Sequence, residues 1–363
     1  MRQILTVTTP FFALVLLGWA VVRGRRLSLQ AIPGLNSFVL FFALPCMLFR
    51  FSASTPITQL LDASVVTVYL AGTVAVVALA AGVARRQALG WSDAAFGALV
   101  AAFPNSGFMG VPLLIALFGQ AAAAPAIVAL ALDMVVTSSL CIALSQLGAA
   151  APAGRPATGH PVGAAVSRAL RGILTNPLPW AIGLGTLSSA AGLLPPAPLM
   201  RAVDMLAGAA SPVALFALGA MFARGQMAAP LPRSEPHNAS RDAARDASSN
   251  AARSAARSAS RSVLTTVAFK LLLHPLLVLA AGHIAIAAGL PLDPFAAAVL
   301  VLVAALPSAS NVPMLAERFG ADAGRLARVV LVSTVCAFGS FTLAVAWIDA
   351  KAPVAPGAGP PAR

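Results

Sequence analysis

Two asparagines, Asn105 and Asn311, carry the strongest chemical signal in this 363-residue sequence. Each sits inside a long apolar run that prolines interrupt. Pro104 and Pro112 flank Asn105 in AAFPNSGFMGVPLLIALFG (101–119), and Pro307 and Pro313 flank Asn311 in AALPSASNVPMLAERFG (304–320). An amide can donate to a carboxylate and accept from an acid, so contact with a small solute is one role for these side chains. Capping the N–H groups that a broken helix leaves unpaired is the other. Ser106, Gly107, Gly110, Ser308 and Ser310 share the two interruptions and complete the set expected to hold a solute. The stretches are copies of one another. V-P-x-L-x-x-x-F-G runs from Val111 to Gly119 and again from Val312 to Gly320, with Ala-Ala-Phe-Pro answered upstream by Ala-Ala-Leu-Pro.

Proline has no backbone donor and clashes with the preceding turn, so each segment is expected to break between its two prolines. Inside a bilayer such a break is tolerated only where protein or a water-filled cavity satisfies the freed backbone groups. Paired interruptions in corresponding halves of a chain point to a carrier's binding site. A helix start carries unpaired donors and a positive partial charge, so two converging starts favour an anion. A cation site calls for several carboxylates or carbonyls. Neither break contains an acid, although Glu317 follows Pro313 by four residues.

Three further ionisable residues fall inside apolar runs, where each costs a few kcal/mol and so invites a functional reading. Asp133 lies within VALALDMVVTSS, while Lys270 and His274 lie four apart in AFKLLLHPLL, on one helical face. They are candidates for ion coupling or fixed charge. Lys270 either supplies positive charge beside the cavity or pairs with Asp133. His274 either relays protons or bonds a backbone group freed by Pro275. Asp62, Asp93, Asp204 and Asp293 fall near segment ends and read as loop or cap residues. Cys46, Cys141 and Cys336 have no metal-like spacing. There is no G-x-S-x-G elbow, no H-E-x-x-H and no paired membrane aspartate, so no catalytic constellation, no metal and no cofactor is expected.

The elements that must position these residues follow from hydropathy. With 59% hydrophobic and 10% charged residues and a mean hydropathy of +0.87, the chain reads as an all-α, multi-pass membrane protein. Apolar windows of bilayer-spanning length occur at 4–22, 34–51, 64–84, 94–118, 122–146, 173–194, 205–223, 263–287, 295–317 and 325–348. The net charge of +13 could suggest nucleic acid, but the basic residues sort into alternate loops. Eighteen of the 24 fall at 23–26, 85–86, 155–171, 224–261 and 318–328, and five fall in the opposite set, at Arg2, Arg50, Arg201, Lys351 and Arg363. The positive-inside rule then places both termini outside the cytoplasm of a plasma (inner) membrane.

Ten spans with the broken segment fourth and ninth make two units of five, and an odd count forces the units into opposite orientations. The expected fold is therefore ten transmembrane helices in two inverted five-helix repeats, with broken, crossing helices four and nine. The repeats occupy 1–147 and 173–348, joined by a cytoplasmic loop at 148–172 and followed by a Pro-rich tail at 349–363. Residues 225–262 form a basic Ala/Ser/Arg-rich cytoplasmic linker with Arg241, Arg245, Arg253, Arg257 and Arg261 at helical spacing. It reads either as a solvated connection or as a face lying on anionic lipid.

The motifs PNSGFMGVP (104–112), KLLLHP (270–275), PSASNVP (307–313) and FFALPCMLF (41–49) resemble the auxin efflux carrier family over nearly the whole chain. The resemblance implies a ten-helix carrier of organic anions, mono- or dicarboxylates, working by alternating access. It also implies a substrate role for Asn105 and Asn311 at the family's crossover asparagines. A sodium- or proton-coupled carrier of the bile-acid or antiporter type, with the same architecture, is the alternative. The partners expected are a small organic anion and the lipid bilayer, with no nucleic acid and with a homodimer open.

Overall fold

The structure is a computed structural model that describes residues 2–148, 177–228, 260–317 and 319–349. Of the expected inter-repeat loop (148–172), linker (225–262) and tail (349–363), residues 149–172, 229–259 and 350–363 lie outside the described residues.

Among the described residues the chain is helical, as hydropathy predicts, and contains no strand. The first group comprises α1 (Arg2–Arg23), α2 (Ala31–Ala53), α3 (Ala63–Arg86), α4 (Trp91–Ala102), α5 (Ser106–Phe118) and α6 (Gln120–Ser145). The second comprises α7 (Pro177–Ala191), α8 (Ala197–Ala228), α9 (Ser260–Ala287), α10 (Pro294–Ala305), α11 (Val312–Glu317) and α12 (Ala323–Asp349). Six of them, α2, α3, α6, α8, α9 and α12, are long and apolar enough to cross a membrane. At about 1.5 Å per residue, α4 and α10 each reach only about 18 Å, well short of a hydrocarbon core of about 30 Å.

Local chemistry sets these boundaries. The Asp62 carboxylate accepts from the N–H groups of Ser64 and Val65 at 2.8 and 3.2 Å and starts α3. Asp293 does the same for Ala296 ahead of Pro294 at the head of α10. The glycine ending each copied motif stands after its half-helix with positive φ, +78° at Gly119 and +70° at Gly320. Glycine takes that region without a Cβ penalty.

Four helices contain a π turn: Val39–Ala43 in α2, Ser106–Gly110 opening α5, Asp133–Thr137 in α6 and Phe269–Leu273 in α9. Three lie just ahead of a proline, at Pro45, Pro112 and Pro275. A proline collides with the carbonyl four residues back and offers that carbonyl no donor, and one extra residue in the turn relieves both problems. The turn at Asp133 has no such proline. There the Ser138 hydroxyl donates to the Asp133 carbonyl at 2.9 Å, and the Ser138 N–H also turns to that oxygen.

Helix packing is closest where glycine removes the side chain. A Cβ on Gly18 of α1 would stand 1.9 Å from the Phe216 carbonyl oxygen of α8, and one on Gly185 of α7 would stand 2.6 Å from the Phe49 carbonyl oxygen of α2. These contacts correspond, since both members shift by the same 167 residues (185 − 18 and 216 − 49). P-x-x-L-F occurs at Pro45–Phe49 and again at Pro212–Phe216 with that same shift.

Candidate functional site at the helix crossover

α4 stops at Ala102 because Pro104 cannot extend it, and α10 stops at Ala305 ahead of Pro307. The two interruptions meet and pair as short antiparallel backbone, with Pro104 opposite Ser308. The Asn105 N–H donates to the Pro307 carbonyl at 2.8 Å, and the Ala309 N–H donates to the Phe103 carbonyl at 3.0 Å. Each break thus supplies part of what the other lacks, which is the condition for open backbone in an apolar interior.

Side chains complete the repair. The Val100 carbonyl would ordinarily receive the N–H of residue 104, which proline does not have. The Ser308 hydroxyl donates to it instead at 2.9 Å. The Ser308 N–H donates to the Ser333 hydroxyl of α12 at 3.2 Å, and Ser333 donates to the Val330 carbonyl at 3.0 Å. The Ala304 carbonyl at the end of α10 receives the Lys270 ammonium at 2.8 Å. A cation at a helix C-terminus complements both the free carbonyl and the helix dipole. The segments touch closely, because a Cβ on Gly110 would lie 2.4 Å from Leu306 Cδ1.

Beside the crossing lies a narrow cleft. Asn105, Gly107 and Asn311 supply its polar end, and its walls include Leu40 and Leu44 of α2, Leu130 and Met134 of α6 and Leu178 of α7. Asn105 is 3% exposed, and its amide nitrogen is buried with no hydrogen-bond partner. Its side chain makes no cap bond to α5, so the capping role open to it in the sequence is not taken up here. A buried amide donor left unpaired costs about 1–3 kcal/mol, and the cleft is where a partner would enter.

The other sequence-derived candidates are placed differently. Ser106 and Ser310 are buried but do not line the cleft. The Ser106 hydroxyl lies 3.4 Å from the Pro104 carbonyl. Gly110 serves the close approach to Leu306, and Ser308 is committed to Val100 and Ser333. Pro313 stands at the second residue of α11, where a missing N–H costs nothing, and Pro112 follows directly on the π turn that opens α5.

Asp133, Lys270 and His274 come together behind the crossing, all fully buried. Tyr69 of α3 donates to Asp133 Oδ2 at 2.6 Å and Thr137 donates to Oδ1 at 3.0 Å. Lys270 Nζ lies 3.0 Å from His274 Nδ1, while His274 Nε2 lies 3.4 Å from the Thr73 hydroxyl. The ammonium has only protons to give, so it donates to Nδ1, and Nε2 then carries the ring proton. Among the described residues the ion pairs are Arg50 with Asp204 and Arg325 with Asp93. Lys270 and Asp133 therefore share the interior without a direct salt bridge, and Lys270 does not line the cleft. The sequence reading did not single out Tyr69, Thr73, Thr137 or Ser333. Tyr69 had a signal, being the chain's single tyrosine within an apolar span.

The family model described as membrane transport protein matches residues 4–345. A protein of Rhizobium meliloti (strain 1021) named "Putative malonate transporter" is 27% identical over 345 residues, covering 94% of this chain and 95% of its own.

Proposed function

The chain belongs to the membrane transport protein family, the auxin efflux carrier family, and from that premise we propose that it is a secondary carrier of small organic anions. Its substrates are mono- or dicarboxylates, and alternating access operates at the crossover. The observation that carries this reading is the unpartnered Asn105 amide nitrogen, at a cleft that also presents Asn311, where two broken helices satisfy each other's backbone. A free amide donor suits a carboxylate, which accepts and does not donate. The relative's name, with malonate in it, belongs to the same substrate class.

The architecture we propose is ten spans in two inverted repeats, 1–147 and 173–348, with α4/α5 and α10/α11 as the broken fourth and ninth. Three observations support it. The Gly18–Phe216 and Gly185–Phe49 contacts repeat with one shift. The interruptions cross, as a pseudo-two-fold axis demands. Gln87, Ser262 and Arg325, at the ends of three helices beside connections read as cytoplasmic, line one common cleft. Both termini then lie outside the cytoplasm. Asp133, Lys270 and His274 act in this scheme as the polar support of the crossover, and Asn105 and Asn311 hold the solute.

The reading is tested with purified protein in proteoliposomes offered radiolabelled malonate, succinate, acetate and benzoate. Saturable uptake of at least one carboxylate above protein-free liposomes is expected. Uptake of none, under an imposed potential of either sign and with or without a proton gradient, would overturn it.

A further inference from the structure

A second, narrow cleft lies between α3, α4, α9 and α12 and is separate from the crossover cleft. Its lining includes Arg325, Ser262, Thr265, Thr266 and Gln87, with apolar walls from Ala80, Val83 and Phe269. Its lining thus carries one guanidinium, three hydroxyls and an amide and no acidic residue, while the Asp93 carboxylate pairs with the guanidinium from outside it.

Arg325 is the central group. It is 5% exposed, and its guanidinium rests against α4 where Gly97 leaves room, since a Cβ there would sit 3.4 Å from one terminal nitrogen. One terminal nitrogen donates to the Ser262 hydroxyl at 3.1 Å. The other donates to the Asp93 backbone carbonyl at 2.6 Å and lies 3.8 Å from the Asp93 carboxylate, which is not part of the lining. These ties fix the fork in place, yet Arg325 Nε is buried with no partner. A charged donor left unsatisfied in a water-poor interior costs more than a neutral one. Ser262, which accepts from Arg325, keeps its own hydroxyl proton to give. Thr265 and Thr266 spend theirs on the Arg261 and Ser262 carbonyls.

We propose that this cleft is a distinct binding site for a small oxyanion, a carboxylate or a phosphate. Arg325 Nε and the Ser262 hydroxyl are its donors, and the exposed Gln87 stands at its mouth. The site is independent of what the crossover cleft holds, because it shares no lining residue with it. A hydrogen bond from Nε to an ionised oxygen is charged on both sides and so is of the strong kind.

The test uses full-length protein in which Cys46, Cys141 and Cys336 are replaced by alanine and Thr265→Cys, at a lining residue outside the donor pair, supplies the reporter thiol. Thiol modification is followed with an anionic sulfonatoethyl and a cationic trimethylammonioethyl methanethiosulfonate, with and without malonate or inorganic phosphate. Malonate, phosphate or both should slow modification several-fold, and Arg325→Gln should abolish that protection. Asn105→Ala should leave the protection intact while affecting the crossover, which separates this proposal from the carrier reading. Thr266→Cys repeats the measurement should Thr265→Cys fail to fold. Lack of protection by either anion at both positions, or equal protection with Arg325→Gln, would overturn the proposal. Protection that vanishes with Asn105→Ala would show that the anion binds only at the crossover.

Discussion

Ser308→Ala removes a single hydroxyl, and the consequence can be worked from the geometry. The Val100 carbonyl loses the donor it holds at 2.9 Å, and Pro104 has no N–H to take over. Val100 is 0% exposed, so bulk water does not reach the freed oxygen. A buried acceptor left unpaired costs about 1–3 kcal/mol, which at about 2 °C per kcal/mol for a large chain is a fall of about 2–6 °C in melting temperature. Pro104→Ala restores an N–H four residues beyond Val100, the ordinary helical partner. In that background Ser308→Ala should cost under about 0.5 kcal/mol, leaving a coupling of about 1 kcal/mol or more. Thermal melts of the wild type, the two single variants and the double variant in detergent close the cycle. Equal shifts from Ser308→Ala in both backgrounds would refute the idea that serine substitutes for the donor that proline lacks.

Tyr69→Phe deletes the 2.6 Å donor to the Asp133 carboxylate. It should destabilise by about 1.5–3 kcal/mol, the range for bonds to charged groups, read as a melting shift that Asp133→Asn makes smaller. Lys270→Met uncaps the Ala304 carbonyl and frees His274. It should lower stability by about 1–3 kcal/mol and reduce transport, with Lys270→Arg recovering part of both. Gly18→Ala and Gly185→Ala force a Cβ against backbone oxygens at 1.9 and 2.6 Å. Backbone cannot rotate away as a side chain can, so both should shrink the monodisperse peak in size-exclusion chromatography, whereas Gly208→Ala, which meets nothing, should not.

The interruptions were legible because proline and glycine act through the local backbone. Pro104, Pro307, Gly119 and Gly320 mark the ends that the helices have, and the duplicated V-P-x-L-x-x-x-F-G announced that the breaks form a pair. What each side chain does there depends on groups brought from other helices, which spacing does not reveal. Ser308 read as a solute contact and instead repairs α4, because its partner lies 208 residues away. Lys270 read as a cavity charge or the partner of Asp133, and it caps α10. The i,i+4 placement of Lys270 and His274 was visible and does bring them to 3.0 Å, though through a π turn in place of a regular one. P-x-x-L-F at Pro45 and Pro212 stood in the sequence, but its meaning appears only once Gly18 and Gly185 are seen against those helices.

The central claim is that Asn105 and Asn311 hold a carboxylate where the two half-helices cross. Its most direct test is the concentration dependence of carboxylate uptake by proteoliposomes carrying the wild type, Asn105→Ala or Asn311→Ala, with each variant's melting temperature as a control for folding. Loss of one bond to a charged group, about 1.5–3 kcal/mol, predicts a fall of about 10- to 150-fold in kcat/KM for each variant. Uptake by both well-folded variants with wild-type kcat and KM would contradict the account.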